Sequence, residues 1–160
     1  MTAPIDTSSF QLGVPADEDE DVERPLLNAL AETARAFVES HPWAPPVSEL
    51  LLAFGIGGII GLFLVRFEHG ITSGEGRGDK EIWVVVGDIP SIYFETENIQ
   101  TRAEALRIYC GIAEDWADHV VAGDSLHECY PIPVEPTVEH ARMLKSRIAT
   151  IRKDFIPLVE

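Results

Sequence analysis

Lysine and arginine are scarce in this sequence, twelve residues of 160 against 27 aspartates and glutamates, for a net charge of −15. Sequence-independent binding to nucleic acid needs a basic face to neutralise phosphates, so this balance argues against it. Cysteine is scarcer still. Cys110 and Cys129 stand alone, and a chain of this length can bury a core without disulfides or a structural metal as staples. No basic stretch followed by an apolar one opens the chain, so no secretion signal is read and a reducing, cytoplasmic compartment is expected. Motifs of common chemistries are absent too: there is no P-loop, no Gly-x-Ser-x-Gly elbow and no His-Glu-x-x-His pair, and no cofactor is implied.

What is present is globular in character. Hydrophobic residues make up 46% and charged residues 24%, far from the composition of disordered chains. One α+β domain over residues 25–160 is expected, preceded by an acidic arm over 1–24 that contains the run Asp17, Glu18, Asp19, Glu20, Asp21. The charge is uneven along the chain. Residues 1–25 balance to −6, 26–100 to −6, 101–136 to −5 and 137–160 to +2. The last helix is therefore the only basic element.

From Pro25 to Glu39 the apolar residues Leu26, Leu27, Leu30, Ala34, Phe37 and Val38 recur at threes and fours, which predicts an amphipathic helix. His41-Pro42-Trp43-Ala44-Pro45-Pro46 stops it and reads as an extended connector anchored by Trp43. The run Leu50–Val65 is sixteen apolar residues with a Gly57-x-x-x-Gly61 spacing known from membrane helix pairs. At about 1.5 Å per residue it would span about 24 Å of helix, short of a bilayer core of about 30 Å, and its four glycines weaken a helix. Attachment to a membrane through residues 50–65 is thus the lesser reading. The preferred parse makes Val47–Phe54 a second short helix, Gly55–Gly58 a turn, and Ile59–Phe67 a buried strand.

Glycines at 70, 74, 76 and 78 mark a loop. Gly74-x-Gly76-x-Gly78 has phosphate-loop spacing but joins two strands rather than feeding a helix N-terminus. Ile82–Val86 is the strongest strand signal, and Gly87-Asp88-Ile89-Pro90 turns it into Ser91–Thr96. A three-stranded antiparallel meander is expected, packed by two C-terminal helices and joined by the N-terminal helical pair; a homodimer is compatible with the apolar central strand. Thr101-x-x-Glu104 is a capping box that opens a helix ending at Gly123. Thr137 caps the last helix, whose Ala141, Leu144, Ile148, Ile151 and Phe155 form one face and whose Arg142, Lys145, Arg152 and Lys153 form another.

Candidate chemistry is thin. Asp115 and His119, four apart on one helix, could face a common ligand, and Glu114, Asp115 and Asp118 otherwise read as a solvated acidic face. His127 and Cys129, with His140 and Cys110, can be drawn as a zinc set, but their spacing is not that of a zinc finger or ribbon. Cys129 with His127 or His140 as base is the thiol-enzyme alternative. Cys110 falls on the apolar face of its helix, where a thiol serves as a small buried hydrophobe. Asp88 reads as a turn-fixing residue, with a ligand role second.

The segment Trp83-Val84-Val85-Val86-Gly87-Asp88-Ile89-Pro90-Ser91-Ile92-Tyr93, followed by Ala105-Leu106 through Tyr109 and by Glu114-Asp115-Trp116, resembles a group of small bacterial proteins of unassigned activity. They share a strand-turn-strand of the form WVVVGDLPS-Y and a Y…EDW helix. The resemblance covers about half the chain and implies a bacterial cytoplasmic origin and a compact α+β unit. It carries over no functional residue.

These readings converge on a non-enzymatic interaction protein, such as an immunity or antitoxin-like inhibitor or an accessory subunit, that meets a basic protein partner through Asp17–Asp21 and Glu114, Asp115 and Asp118. A small metal-dependent or thiol enzyme built on Asp115/His119 or His127/Cys129 is the competing class.

Overall fold

The computed structural model describes residues 5, 7–12, 23–71 and 80–160. The protein is α+β, and its chain divides into two compact units, residues 1–100 and 101–160.

The first unit is an antiparallel sheet with one helix on it. Strands β1 (Gln11–Leu12), β2 (Val47–Ile56), β3 (Ile60–Phe67), β4 (Glu81–Gly87) and β5 (Ile92–Glu95) lie in sequence order, each paired with the next. The meander thus exceeds the expected three strands. Two residues of the N-terminal segment add one strand, and the expected second helix supplies the other. Val47–Phe54 is part of β2, and the N-terminal helical pair is one helix, α1 (Glu23–Glu39). Leu50-Leu51-Leu52-Ala53 has good helix propensity, but pairing with β3 from Val47↔Phe67 to Ile56↔Ile60 overrides it.

The turn decides the pairing. Gly57 and Gly58 reverse the chain, with the Ile59 amide donating to the Ile56 carbonyl at 3.0 Å and Gly58 at φ +75° in the third position. That position of a type II turn requires positive φ. Ile59 lies in the turn and is 47% exposed, so β3 starts one residue later than the parse of 59–67.

The sixteen-residue apolar run is therefore a hairpin. No helix of the described residues is long and apolar enough to cross a membrane. The Gly57-x-x-x-Gly61 spacing serves helix-on-sheet contact instead. A Cβ at Gly57 would lie 2.6 Å from the Leu26 Cβ, and one at Gly61 would lie 3.4 Å from the Leu30 Cβ. The Gly57 amide donates to Glu23 Oε1 at 2.6 Å, tying the hairpin tip to the first turn of α1.

Helix α1 lays Leu27, Leu30, Ala31, Ala34 and Val38 on the sheet face formed by Leu50, Leu52, Phe63, Val65, Phe67, Ile82, Val84 and Val86. Each large side chain so buried contributes about 1.5–3 kcal/mol. Residues of opposite parity, including Leu62, Leu64, Trp83, Val85, Ile92 and Phe94, are buried as well, which is why these strands read as continuous apolar runs. Trp83 satisfies its indole N–H on the Ile99 carbonyl at 3.2 Å and takes Phe10 edge-on at 6.1 Å.

The second unit is helical. In α2 (Arg102–Ala122) the Thr101 hydroxyl oxygen accepts from the Glu104 amide at 3.1 Å, and Gly123 closes the helix at φ +75°. The Glu104 carboxylate accepts from the Thr101 hydroxyl at 3.3 Å, a variant of the expected box in which both contacts share one oxygen. Helix α3 (Val138–Thr150) is capped by Thr137. It continues through one π turn, Ile151–Phe155, into α4 (Ile156–Val159). Pro157 accounts for the irregularity, since in a straight α-helix its ring would meet the Lys153 carbonyl and its missing N–H would orphan that oxygen. The Ile156 amide reaches back to Ile151, and the extra residue rotates the stripe so that Ile156 is buried where Phe155 was expected.

Candidate functional site

In the first unit, four elements bring aromatic rings together where α1 ends. Phe37 comes from the last turns of α1, His41 and Trp43 from the connector, Phe67 from the end of β3, and Tyr93 from β5. The His41 ring stands 5.0 Å from Phe37, 5.1 Å from Trp43 and 5.0 Å from Tyr93, and Trp43 lies 4.9 Å from Tyr93. Phe67 closes the group, 6.5 Å from Trp43. His41 Nδ1 is 2.8 Å from the Phe37 carbonyl, which can only accept, so that nitrogen carries the proton. Phe37, His41, Trp43 and Tyr93 are half-buried.

Acids surround these rings along the chain. Glu39 lies between Phe37 and His41, Glu68 follows Phe67, and Glu95 lies two residues beyond Tyr93 on the same side of β5. All three are exposed, as is Glu97. Arg66 is committed within the sheet, 3.2 Å from Glu81 and 3.5 Å from Glu49. Residues 1–100 hold 17 acids and five bases, a balance of −12, whereas residues 101–160 hold ten and seven, a balance of −3. Sequence reasoning identified Trp43 only as an anchor. Rings at 37, 41, 43, 67 and 93 follow no period, and only the register of the sheet with α1 collects them.

In the second unit the acids of α2 meet the bases that follow. Lys145 Nζ is 2.6 Å from Asp118 Oδ1, and Arg152 Nη1 is 2.7 Å from Glu114 Oε2. The pairs run in opposite directions along the chain, so α2 and α3 are antiparallel with their charges in register. Two bases of the C-terminal segment are thus paired within the chain. Both pairs are 39–54% exposed, so each contributes at most about 1 kcal/mol after screening. Glu114 and Asp118, expected at a partner surface, face bases of their own chain. The run Asp17–Asp21 lies outside the described residues.

Asp115, the third acid, has different neighbours. It, His119 and Cys129 each present a ligand-type atom within 4.8 Å of the other two. Asp115 and His119 share a face of α2 by their four-residue spacing. The connector brings Cys129 back after Gly123 ends the helix, through a turn in which the Cys129 amide donates to the Leu126 carbonyl at 3.1 Å. His119 Nδ1 lies 2.7 Å from the Asp115 carbonyl and 3.5 Å from its carboxylate. The carbonyl contact, aided by the charges of Asp115, Asp124 and Asp118, holds the imidazole above its ordinary pKa. Burial, the Asp115 charge and a hydrogen bond to that carboxylate push the Cys129 thiol up.

The other sequence candidates are dispersed. His127 is exposed, and its amide donates to Ser125 Oγ at 3.2 Å. His140 sits at the start of α3 with its Nδ1 3.0 Å from the Glu135 carbonyl. Cys110 is buried, and burial pushes its thiol up to about 11, with Arg152 lowering it and Glu114 raising it. The drawn set of Cys110, His127, Cys129 and His140 is therefore not assembled. Of its four members only Cys129 joins a grouping of three donors among the described residues.

Asp88 is exposed, and its amide donates to the Ile59 carbonyl at 2.8 Å.

The thiols should report this arrangement. At pH 8 a thiol with a pKa near 11 is about one-thousandth thiolate. Mass spectrometry after brief treatment of native protein with iodoacetamide is expected to find Cys129 alkylated slowly and Cys110 intact, both reacting fully in urea. Rapid native alkylation of Cys110 would contradict its placement.

Comparison of the chain with protein-family models, curated proteins and solved structures returns no match.

Proposed function

We propose that this chain is a non-enzymatic acidic docking protein of the cytoplasm, of the immunity, antitoxin-like or accessory-subunit kind, which binds a basic protein partner over the aromatic cluster at the end of α1. The observation that carries this reading is the coincidence, within residues 1–100, of incompletely buried Trp43, Tyr93 and Phe37 with a charge balance of −12. Partly exposed aromatic rings are the usual anchors of interfaces. A lysine or arginine laid on them gains about 0.5–1 kcal/mol when exposed and about 2 kcal/mol when desolvated. The exposed carboxylates of Glu39, Glu68, Glu95 and Glu97 supply the complementary field that speeds encounter and weakens with salt.

The acids of α2 take a lesser part in this reading, because Glu114 and Asp118 are engaged by Arg152 and Lys145. Calorimetric titration of the full chain with lysine- and arginine-rich peptides tests the proposal. Binding is expected at low ionic strength, weaker at high salt, and reduced by Trp43→Ala and by the pair Glu39→Gln and Glu68→Gln, while Glu114→Gln leaves it unchanged. Binding indifferent to Trp43→Ala, or lost equally in Glu114→Gln, would overturn it.

A further inference from the structure

We propose that Asp115, His119 and Cys129 form a binding site for a thiophilic divalent transition-metal ion, zinc foremost. This proposal does not depend on the docking reading. Three features support it, beginning with geometry. Zinc holds sulfur at about 2.3 Å and nitrogen or oxygen at about 2.0–2.2 Å, so tetrahedral donors sit about 3.3–3.8 Å apart. The three ligand atoms already lie within 4.8 Å of one another, and closing the longest gap takes about 1 Å. The groups that would move are favourable ones. Asp115 is exposed, and Cys129 lies on the connector rather than in a helix.

The second feature is the donor chemistry. One thiolate, one imidazole and one carboxylate form a mixed sulfur, nitrogen and oxygen set, which suits zinc or cobalt and is poor for calcium or magnesium. With the thiol deprotonated, the two anionic ligands neutralise the charge of a divalent cation. Three protein ligands leave a fourth position for solvent.

The third feature is orientation. Nδ1 of His119 lies at hydrogen-bond distance from the Asp115 carbonyl. That contact fixes the ring, the kind of support that metal-bound histidines usually have. Binding converts the Cys129 thiol into a thiolate, and the displaced proton goes to solvent. The ion would then staple the connector after α2 back onto that helix. Asp115 and His119 alone would offer no soft donor, and Cys129 alone would be one thiol among many.

Titration of the full chain with Zn²⁺ and with Co²⁺ tests the site. One equivalent is expected to bind, Co²⁺ giving the thiolate-to-cobalt charge-transfer absorption and the visible bands of a four-coordinate site, and excess Mg²⁺ or Ca²⁺ failing to displace it. Cys129→Ser should abolish the charge-transfer band and weaken zinc by roughly tenfold or more, as should His119→Ala. His127→Ala, at an exposed position outside the cluster, should change neither. Bound Zn²⁺ should also block alkylation of Cys129. Wild-type protein that binds Co²⁺ without a thiolate band, or Cys129→Ser protein that stays folded by circular dichroism and holds zinc as tightly as wild type, would overturn the assignment.

Discussion

Replacing Gly87 with alanine is expected to destabilise the sheet by about 2–5 kcal/mol. Two causes add. Gly87 ends β4 at φ +137°, where L-residues are strained, and a Cβ there would lie 2.2 Å from the Ile59 carbonyl oxygen. That oxygen cannot move away cheaply, because it accepts the Asp88 amide that joins the β4–β5 turn to the β2–β3 turn. Gly58 provides the control. It too has positive φ, +75°, but a Cβ there meets nothing within 4 Å, so Gly58→Ala should cost about 1–2 kcal/mol. Urea unfolding of the two variants measures the difference. Equal losses would mean that the close approach of the two turns is wrong.

The second large effect concerns the apolar run that could have been a membrane segment. Phe63→Ala, in the middle of β3 and fully buried under α1, is expected to cost about 3–5 kcal/mol. Ile59→Ala, four residues earlier and 47% exposed in the turn, should cost within about 0.5 kcal/mol. Urea unfolding again reads both, with hydrogen exchange of the β3 and β4 amides as a local check. A helical run with its sides in lipid would show no such contrast.

These two regions also show how far residue patterns go. Capped helices were legible from local chemistry: Thr101 and Gly123 bound α2, and Thr137 opens α3, as their side-chain and backbone preferences dictate. The strand β4 was legible from its β-branched run. β2 was not, because its leucines and alanine favour helix and its burial on both faces erases the alternation that marks a strand. Only the pairing partner, eight residues of β3 beyond a glycine turn, resolves it. β1 is two residues long and carries no signal of its own. In the last helix a stripe read straight through to Phe155 leaves Pro157 out of account, and the π turn shifts it.

The sites divide the same way. A spacing of four places Asp115 beside His119 from sequence alone, but Cys129 reaches them only through the path of the connector. The acidic face of α2 was legible as acidic, while its commitment to Lys145 and Arg152 depends on how α3 lies against α2. For the aromatic cluster nothing local could serve, since its rings span residues 37 to 93.

Zero-length carbodiimide cross-linking of the full chain to the basic protein it retains at low salt tests the docking account most directly. The account predicts links from Glu39, Glu68, Glu95 or Glu97 to lysines of the partner, lost in Trp43→Ala. Links confined to Asp17–Asp21, or to Glu114, Asp115 and Asp118, would contradict it.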